Sequence, residues 1–537
     1  SRCRILLVSG FQADGSTGRA LDVLQWFHSS EEAVDFRRHF AVAAIPAVNA
    51  ETLLATQGVG AGGGGSAGTG YPPTGPAYGA VKQSQAAYLW RWIGMLAPDL
   101  VVEIQPGTGA LAWQVDPHPK SEVDLSFASR LAPLTKVSSI RIASALVKNS
   151  PADVAPVPAI QVSVPSGANP LPELFRAILQ TSPELRSPAR KELLRRQART
   201  SLTVARELSA FYGGHLKSVS YISALALIGR CRLTELTDDS SHLGEVQKIV
   251  GPYVSGRQPT LGQKVGGSNL SGHLIFGELA ARTGQKRYVD LARVAADLGF
   301  DTQGAMKAAM PHHSQMSDAV FMGTPILVQV GRLTGETKYF DMAARHLEFM
   351  LRLNLRDDGL HQHSPLDPDR TAWGRGNGFP ALGLAICLSD LPVDSPHRRR
   401  FLEVYRDHMA AMKKHQDEMG MWHQVIDHPE SYREFTVTCM TTFALVRGLR
   451  RGWLERRVYE PVVQRAWQSI KMRIGTDGTL VDVCTGTGKQ KSLQEYFDRT
   501  AILGRNDRGG AMALMVSTEM ALAEREQAVT VTDSSAD

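Results

Sequence analysis

Thr283-Gly284-Gln285-Lys286-Arg287-Tyr288-Val289-Asp290 and Thr334-Gly335-Glu336-Thr337-Lys338-Tyr339-Phe340-Asp341 are two copies of one pattern, Thr-Gly-x-x-x-Tyr-x-Asp, 51 residues apart. Each copy follows one stretch of helical apolar periodicity and precedes another, so the glycine makes a turn between two helices and the tyrosine packs under it. The repeating unit is a helical hairpin that must bury its apolar face against a neighbour. Residues 217 to 525 hold about six such units at this period. That predicts a toroid of six helical hairpins if the array closes and an open solenoid if it does not.

The first part of the chain has a different texture. Arg4-Ile5-Leu6-Leu7-Val8-Ser9-Gly10, Phe40-Ala41-Val42-Ala43-Ala44-Ile45-Pro46 and Leu100-Val101-Val102-Glu103-Ile104 read as buried strands, with helical spacing over 18–36 and 83–96. Strand, helix, strand in that order predicts a right-handed parallel unit. Residues 58–79 are crowded with Gly, Pro and Thr and read as a long surface loop. Between 181 and 216, Ser-Pro breaks and the run Arg186, Arg190, Lys191, Arg195, Arg196, Arg199 read as a basic helical linker with a solvated face. The expected division is therefore an α/β domain over 1–180, a linker over 181–216, an all-α domain over 217–525 and a polar tail over 526–537.

A chain of 537 residues exceeds what one core fills, which agrees with two domains. Lys+Arg 59 against Asp+Glu 53 leaves a net charge of +6, but the two signs are interspersed. Without a basic stripe interleaved with aromatics, nucleic acid is not the expected partner. Cys3, Cys231, Cys387, Cys439 and Cys484 are odd in number, far apart and lack any C-x-x-C pair, so they read as reduced core residues rather than a disulfide framework or zinc cluster. No run of about eighteen apolar residues suggests a membrane span. The chain starts at Ser1 without an apolar leader, as in a trimmed or processed form; either a periplasmic or a cytoplasmic setting fits.

The chemistry concentrates in the helical half. Asp318 lies between polar Ser314-Gln315-Met316-Ser317 and apolar Val320-Phe321-Met322, at the mouth of a helix, where it is either an N-cap or an inward-facing acid. After the turn Arg356-Asp357-Asp358-Gly359-Leu360, His363 leads toward Trp373-Gly374-Arg375-Gly376-Asn377-Gly378. There the glycines allow close backbone approach to a ligand, Trp373 offers a stacking face for a sugar, and Arg375 offers a bidentate partner for a carboxylate. Met421-Trp422-His423-Gln424 repeats the theme, while Cys484-Thr485-Gly486-Thr487-Gly488 is too short for a phosphate loop and reads as a tight inner-rim turn.

Two resemblances follow from these residues. Gly10-Phe11-Gln12-Ala13-Asp14-Gly15, then Ile45-Pro46-Ala47-Val48-Asn49, then Pro98 through Gly107, resembles the zinc carboxypeptidase and succinylglutamate desuccinylase family. That family supplies His and Glu where this chain has Gln12 and Gly15, and a second His where it has Gln105; the resemblance therefore implies a carboxypeptidase-like α/β domain lacking zinc ligands. The second resemblance is carried by Asp318 with Phe321-Met322 and Pro325, Gly359-Leu360 with His363, Trp373 through Gly378, Gly420 with Trp422 and Gln424, and Gly486-Thr487-Gly488 with Tyr496. It is similar to unsaturated rhamnogalacturonyl hydrolases, glycoside hydrolase family 105, close to the unsaturated glucuronyl hydrolases of family 88.

This resemblance implies an (α/α)6 barrel, no metal or other cofactor, and removal of a 4,5-unsaturated uronic acid from the non-reducing end of lyase-generated oligosaccharides. An anionic oligosaccharide is the implied partner. Asp318 matches the family's catalytic aspartate, and His363, Trp373, Arg375, Asn377, Trp422, Gln424 and Asn269 are the expected substrate-binding residues. One carboxyl group then serves both as acid and as base in hydrating an enol ether, whereas ordinary glycosidases need a carboxyl pair. The chain departs from the family at Met316-Ser317, where an aromatic residue is usual, at Phe379, where tryptophan is usual, and at Gly267-Ser268-Asn269, where an aspartate is usual. Those departures leave two alternatives: a glycosidase or lyase acting on saturated uronic-acid polysaccharides, or a non-catalytic carbohydrate-binding protein.

Overall fold

The computed structural model describes residues 2–11, 15–48, 70–73, 84–137 and 142–534, and its contacts separate it into two units, Ser1–Ala198 and Arg199–Asp537. In the first unit the chain runs β1 (Cys3–Val8), α1 (Ser16–Ser29), α2 (Val34–His39), β2 (Phe40–Ile45), α3 (Ser84–Leu96), β3 (Leu100–Pro106), β4 (Ala112–Val115) and β5 (Leu134–Lys136). It continues with α4 (Ile142–Lys148), β6 (Ala159–Val164), α5 (Leu171–Thr181) and α6 (Pro188–Ala198). The six-stranded sheet has the order β2-β1-β3-β6-β4-β5. Its first four strands are parallel, and β4 reverses against β6.

The apolar runs of β1, β2 and β3 form strands because a parallel sheet is covered on both faces, and all three are central to the core. Sequence reading overlooked β4, β5 and β6. β4 and β5 are four and three residues long and largely half-buried or exposed, so no periodic signal marks them. Gln12 and most of the long loop read at 58–79 lie outside the described residues.

The basic stretch is not a free-standing linker. Arg190 on α6 pairs with the buried Asp99, and Arg196 donates to the Asp153 carbonyl at 3.0 Å, which fastens that helix into the first unit. Thr200 accepts from the backbone N–H of Thr203 and so caps the next helix, which belongs to the second unit.

The second unit comprises α7 (Ser201–Ser209), α8 (Tyr221–Thr237), α9 (Ser241–Val254), α10 (Gly267–Gly272), α11 (Leu274–Thr283) and α12 (Lys286–Ala296). There follow α13 (Ala319–Thr334), α14 (Lys338–Asn354), α15 (Gly374–Asp390), α16 (Arg398–Lys414), α17 (Phe435–Arg450) and α18 (Arg456–Met472). The chain ends with β7 (Leu480–Cys484), α19 (Leu493–Phe497), β8 (Ala501–Gly504) and α20 (Asp507–Ser534). Helix α8 packs on α10 and α11, these on α13, then α15, α17 and α20, and α20 packs back on α8. The ring of inner helices is therefore closed, and the open solenoid is excluded. Helices α9, α12, α14, α16, α18 and α7 pack against this ring as an outer layer.

The repeat does what its residues dictate. Gly284 and Gly335 end their helices at φ 67° and 75°, each donating its N–H to the carbonyl four residues back at 2.8 Å. Thr283 and Thr334 donate their hydroxyls to the carbonyls of Leu279 and Val330. Tyr288 and Tyr339 are buried, and Tyr339 donates its hydroxyl to Asp297 at 2.6 Å.

A hairpin of strands, β7 with β8, interrupts the helical pattern, contrary to the strand-free reading. It is short, and a bulge at Asp482, with φ 64°, breaks its alternation. The closing helix is fixed electrostatically. Glu519 on α20 is fully buried and receives Arg232 from α8 and Arg447 and Arg450 from α17. Burial opposes its charge, but the three guanidinium groups outweigh burial and hold the carboxyl down to about 2.

Candidate active site

Asp318 stands at the N-terminal boundary of α13, yet its side chain makes no capping hydrogen bond, so the N-cap reading fails. Only 8% of the residue is exposed, and Oδ1 is buried without a partner. Burial pushes this carboxyl up to about 7, against the opposing pull of Arg375 and Arg508. Near neutral pH it is thus poised between acid and carboxylate.

The loop leading to it is strained. His312, Ser314 and Gln315 all adopt positive φ, at 63°, 50° and 56°. Ser317 locks its end, donating its N–H to the His363 carbonyl at 3.0 Å and its hydroxyl to the Gly376 carbonyl at 2.7 Å.

His363 comes from the loop between α14 and α15 and is fully buried. Its Nε2 lies 3.6 Å from Asp318 Oδ1 and has no hydrogen-bond partner, while Nδ1 meets the Tyr496 hydroxyl at 2.7 Å. Burial, with the Arg375 and Lys489 charges nearby, pushes the imidazole down to about 3. Because the imidazole is neutral, the 3.6 Å approach is not an ion pair at neutral pH. It is a gap between a nitrogen and an oxygen, too long for a direct hydrogen bond.

Trp373 packs beside His363 at 4.4 Å between ring centroids and carries Arg375 over its face at 4.8 Å. The expected carboxylate clamp of Arg375 does not materialise. Its guanidinium is 2% exposed and donates to the carbonyls of Cys484 and Thr485, at 2.8 and 2.7 Å, holding the end of β7. Its charge acts on Asp318 through space. The glycines of this segment serve packing rather than ligand approach: a Cβ at Gly374 would stand 2.6 Å from the His423 carbonyl oxygen, and one at Gly376 would crowd Ser317, Trp373 and His363.

Four further expected ligand contacts are corrected in the same way. Asn377 exchanges hydrogen bonds with both backbone groups of His361 and donates to the Trp373 carbonyl, which leaves its amide committed. Trp422 is fully buried and donates Nε1 to Met412, so it is core. Gln424, also buried, donates to the Tyr496 carbonyl and supports the site from behind. Asn269 accepts from Gly266 and donates to Val219, bracing the start of α10.

What sequence reasoning missed are the groups brought by the end of the chain. Arg508, on the first turn of α20, donates Nε to the Tyr221 hydroxyl at 3.0 Å and lies close enough to Asp318 to act on its carboxyl. Lys489 is exposed, has no ion-pair partner among the described residues, and its charge is among those that lower both His363 and His313. No spacing pattern links residues 489 and 508 to residue 318; only closure of the ring does.

Comparison with known proteins bears on the helical unit. The sequence profile of Glycosyl Hydrolase Family 88 matches residues 206–523. An unsaturated 3S-rhamnoglycuronyl hydrolase of Formosa agariphila is 31% identical over 170 residues, 28% of this chain and 45% of its own length. The unsaturated rhamnogalacturonyl hydrolase YesR of Bacillus subtilis is 24% identical over 286 residues, 51% of this chain and 81% of its own length. The chain thus spans less than half the length of the Formosa relative. Among solved structures, a family 105 glycoside hydrolase of C. acetobutylicum superposes with a TM-score of 0.51 at 20% identity, covering 59% of this chain and 98% of that one, which is a likeness of fold.

Proposed function

The chain belongs to Glycosyl Hydrolase Family 88, and from that membership we propose that it removes a 4,5-unsaturated uronic acid from the non-reducing end of an oligosaccharide by hydrating its enol ether. The observation that carries the reading is Asp318, a buried carboxyl raised to about 7 with an unpartnered oxygen and no second acid among the groups assembled at the site. A protonated Asp318 delivers its proton to C4, which leaves positive charge shared between C5 and the ring oxygen. The resulting carboxylate accepts a proton as water adds at C5, and Asp318 is an acid again. The hemiketal so formed opens, and the rest of the oligosaccharide leaves.

In this reading Trp373 and His363 bound the pocket, and Arg508 and Lys489 take the anion-binding role that Arg375 cannot fill. A uronate carboxylate suits these two cations. Lys489→Ala is expected to raise KM for a charged substrate roughly tenfold, about 1.4 kcal/mol, with kcat and melting temperature little changed. Steady-state kinetics at two ionic strengths check this; an unchanged KM removes Lys489 from the site.

The deciding experiment follows the ultraviolet absorbance of the conjugated enol ether on lyase-digested pectin, ulvan and glycosaminoglycan fragments. Loss of absorbance with the native protein identifies the substrate class. No loss on any fragment, with binding seen by calorimetry, would turn the reading to a carbohydrate-binding protein.

For the first unit we propose a carboxypeptidase-type α/β domain that does not hold zinc. Gly15 has no side chain, and Gln105 donates its amide nitrogen to Glu103 at 2.7 Å, so neither supplies the imidazole or carboxylate that zinc requires.

A further inference from the structure

The donor and acceptor roles around His363 follow from its neighbours. Tyr496, from α19, is fully buried, and its hydroxyl oxygen makes two contacts. The backbone N–H of Gln490 points to it at 3.4 Å, and His363 Nδ1 lies 2.7 Å away. A backbone N–H is only a donor, so the tyrosine oxygen accepts there. The hydroxyl proton then has one acceptor among the described residues, and that is His363 Nδ1. The imidazole therefore carries its own hydrogen on Nε2, the nitrogen facing Asp318 Oδ1 across 3.6 Å.

We propose that Tyr496 is a positioning residue that fixes His363 in the Nε2–H form, so that a neutral N–H donor faces the reacting carboxyl. The neighbouring groups hold this arrangement in register. Gln424 donates to the Tyr496 carbonyl at 3.1 Å, and Trp373 packs its ring against both His363 and Tyr496. Nε2 of His363 and Oδ1 of Asp318 are both buried and unpartnered, and buried polar groups in a functional site ordinarily have a partner when the site is occupied. A substrate hydroxyl bridging them satisfies both, accepting from His363 Nε2 and donating to Asp318 Oδ1, which leaves the proton of Asp318 for C4. In the opposite tautomer, Nε2 would be a lone pair turned toward the substrate, repelling a carboxylate or ring oxygen and leaving the tyrosine hydroxyl without an acceptor.

This inference rests on the hydrolase reading for its consequence, but the tautomer itself can be tested without turnover. Histidine labelled with nitrogen-15 is incorporated into the full chain, the His363 signals are assigned by their loss in His363→Gln, and long-range proton–nitrogen correlations report which nitrogen bears hydrogen. The native protein is expected to show His363 as the neutral Nε2–H form. In Tyr496→Phe, which keeps the ring and removes the hydroxyl, His363 is expected to move to the Nδ1–H form or a mixture. The variant's kcat on an unsaturated uronide is expected to fall roughly tenfold or more with KM little changed, as when an orienting partner of a site histidine is removed. A native His363 with hydrogen on Nδ1, or an unshifted tautomer in Tyr496→Phe, overturns the proposal. If Tyr496→Phe does not fold, the native spectrum alone still decides. A native protein that turns over no unsaturated uronide, yet shows the Nε2–H form, removes the hydrolase reading and leaves the tautomer standing.

Discussion

Asp318→Asn keeps the fold and lowers turnover of an unsaturated uronide by about 10²–10⁴-fold, the range that a positioned proton donor contributes. The amide has nearly the shape of the acid but no transferable proton, so the pocket stays intact while both protonation of C4 and activation of water are lost. Because protonated Asp318 is the reactive form, kcat/KM of the native protein is expected to be level at low pH and to fall above about 7, where the carboxyl ionises. A fully active variant, or a profile without that alkaline limb, removes Asp318 from the role.

The same substitution has a stability signature of unusual sign. The folded carboxyl is raised from 3.8 to about 7, so the native state holds a proton that the unfolded chain releases, and stability falls as pH rises between those values. Asparagine mimics the neutral acid without that dependence. Asp318→Asn should therefore match the native protein below pH 4 and be more stable above pH 7, by up to about 4 kcal/mol for a shift of this size. Urea unfolding across that range measures it. Loss of activity together with gain of stability is the signature of an acid kept in its site for function rather than for folding.

Glu519→Ala is expected to destabilise the helical unit by about 3–5 kcal/mol, since it strands the buried guanidinium groups of Arg232 and Arg447 without their carboxylate, while Arg450 keeps Glu526. For a domain whose whole stability is about 5–15 kcal/mol, that is a large fraction. The location makes the loss spread. Glu519 ties α20 to α8 and α17, the three inner helices at which the ring closes, and Arg508 at the other end of α20 stands beside Asp318. Opening the closure should therefore also weaken substrate binding. The folded pKa of Glu519 is depressed from 4.5 to about 2, so its contribution is present above pH 4.5 and is lost as pH falls toward 2. Thermal unfolding of Glu519→Ala and Glu519→Gln at neutral and acid pH tests both points. A native-like melting temperature for Glu519→Ala would show the cluster to be dispensable.

Local chemistry made much of the molecule legible in the sequence. The Thr-Gly turns at 283 and 334 and the buried apolar runs of β1, β2 and β3 depend on residues a few positions apart, whose steric and hydrogen-bonding preferences act wherever the chain goes. Asp318, His363 and Trp373 were legible because an acid, an imidazole and an indole at loop–helix boundaries stand out from apolar surroundings, and the structure gathers all three. Tertiary structure alone decided what each polar side chain does there. Arg375, Asn377, Trp422 and Gln424 have the residue types of ligands, yet each finds a backbone partner in a segment distant in sequence or in its own turn, and a buried polar group takes whichever partner the packing offers. Closure of the ring is likewise a long-range fact. It sets α20 against α8 and brings Tyr496 to His363 and Arg508 near Asp318, since contact between distant segments depends on how the hairpins stack and not on any residue's own preference.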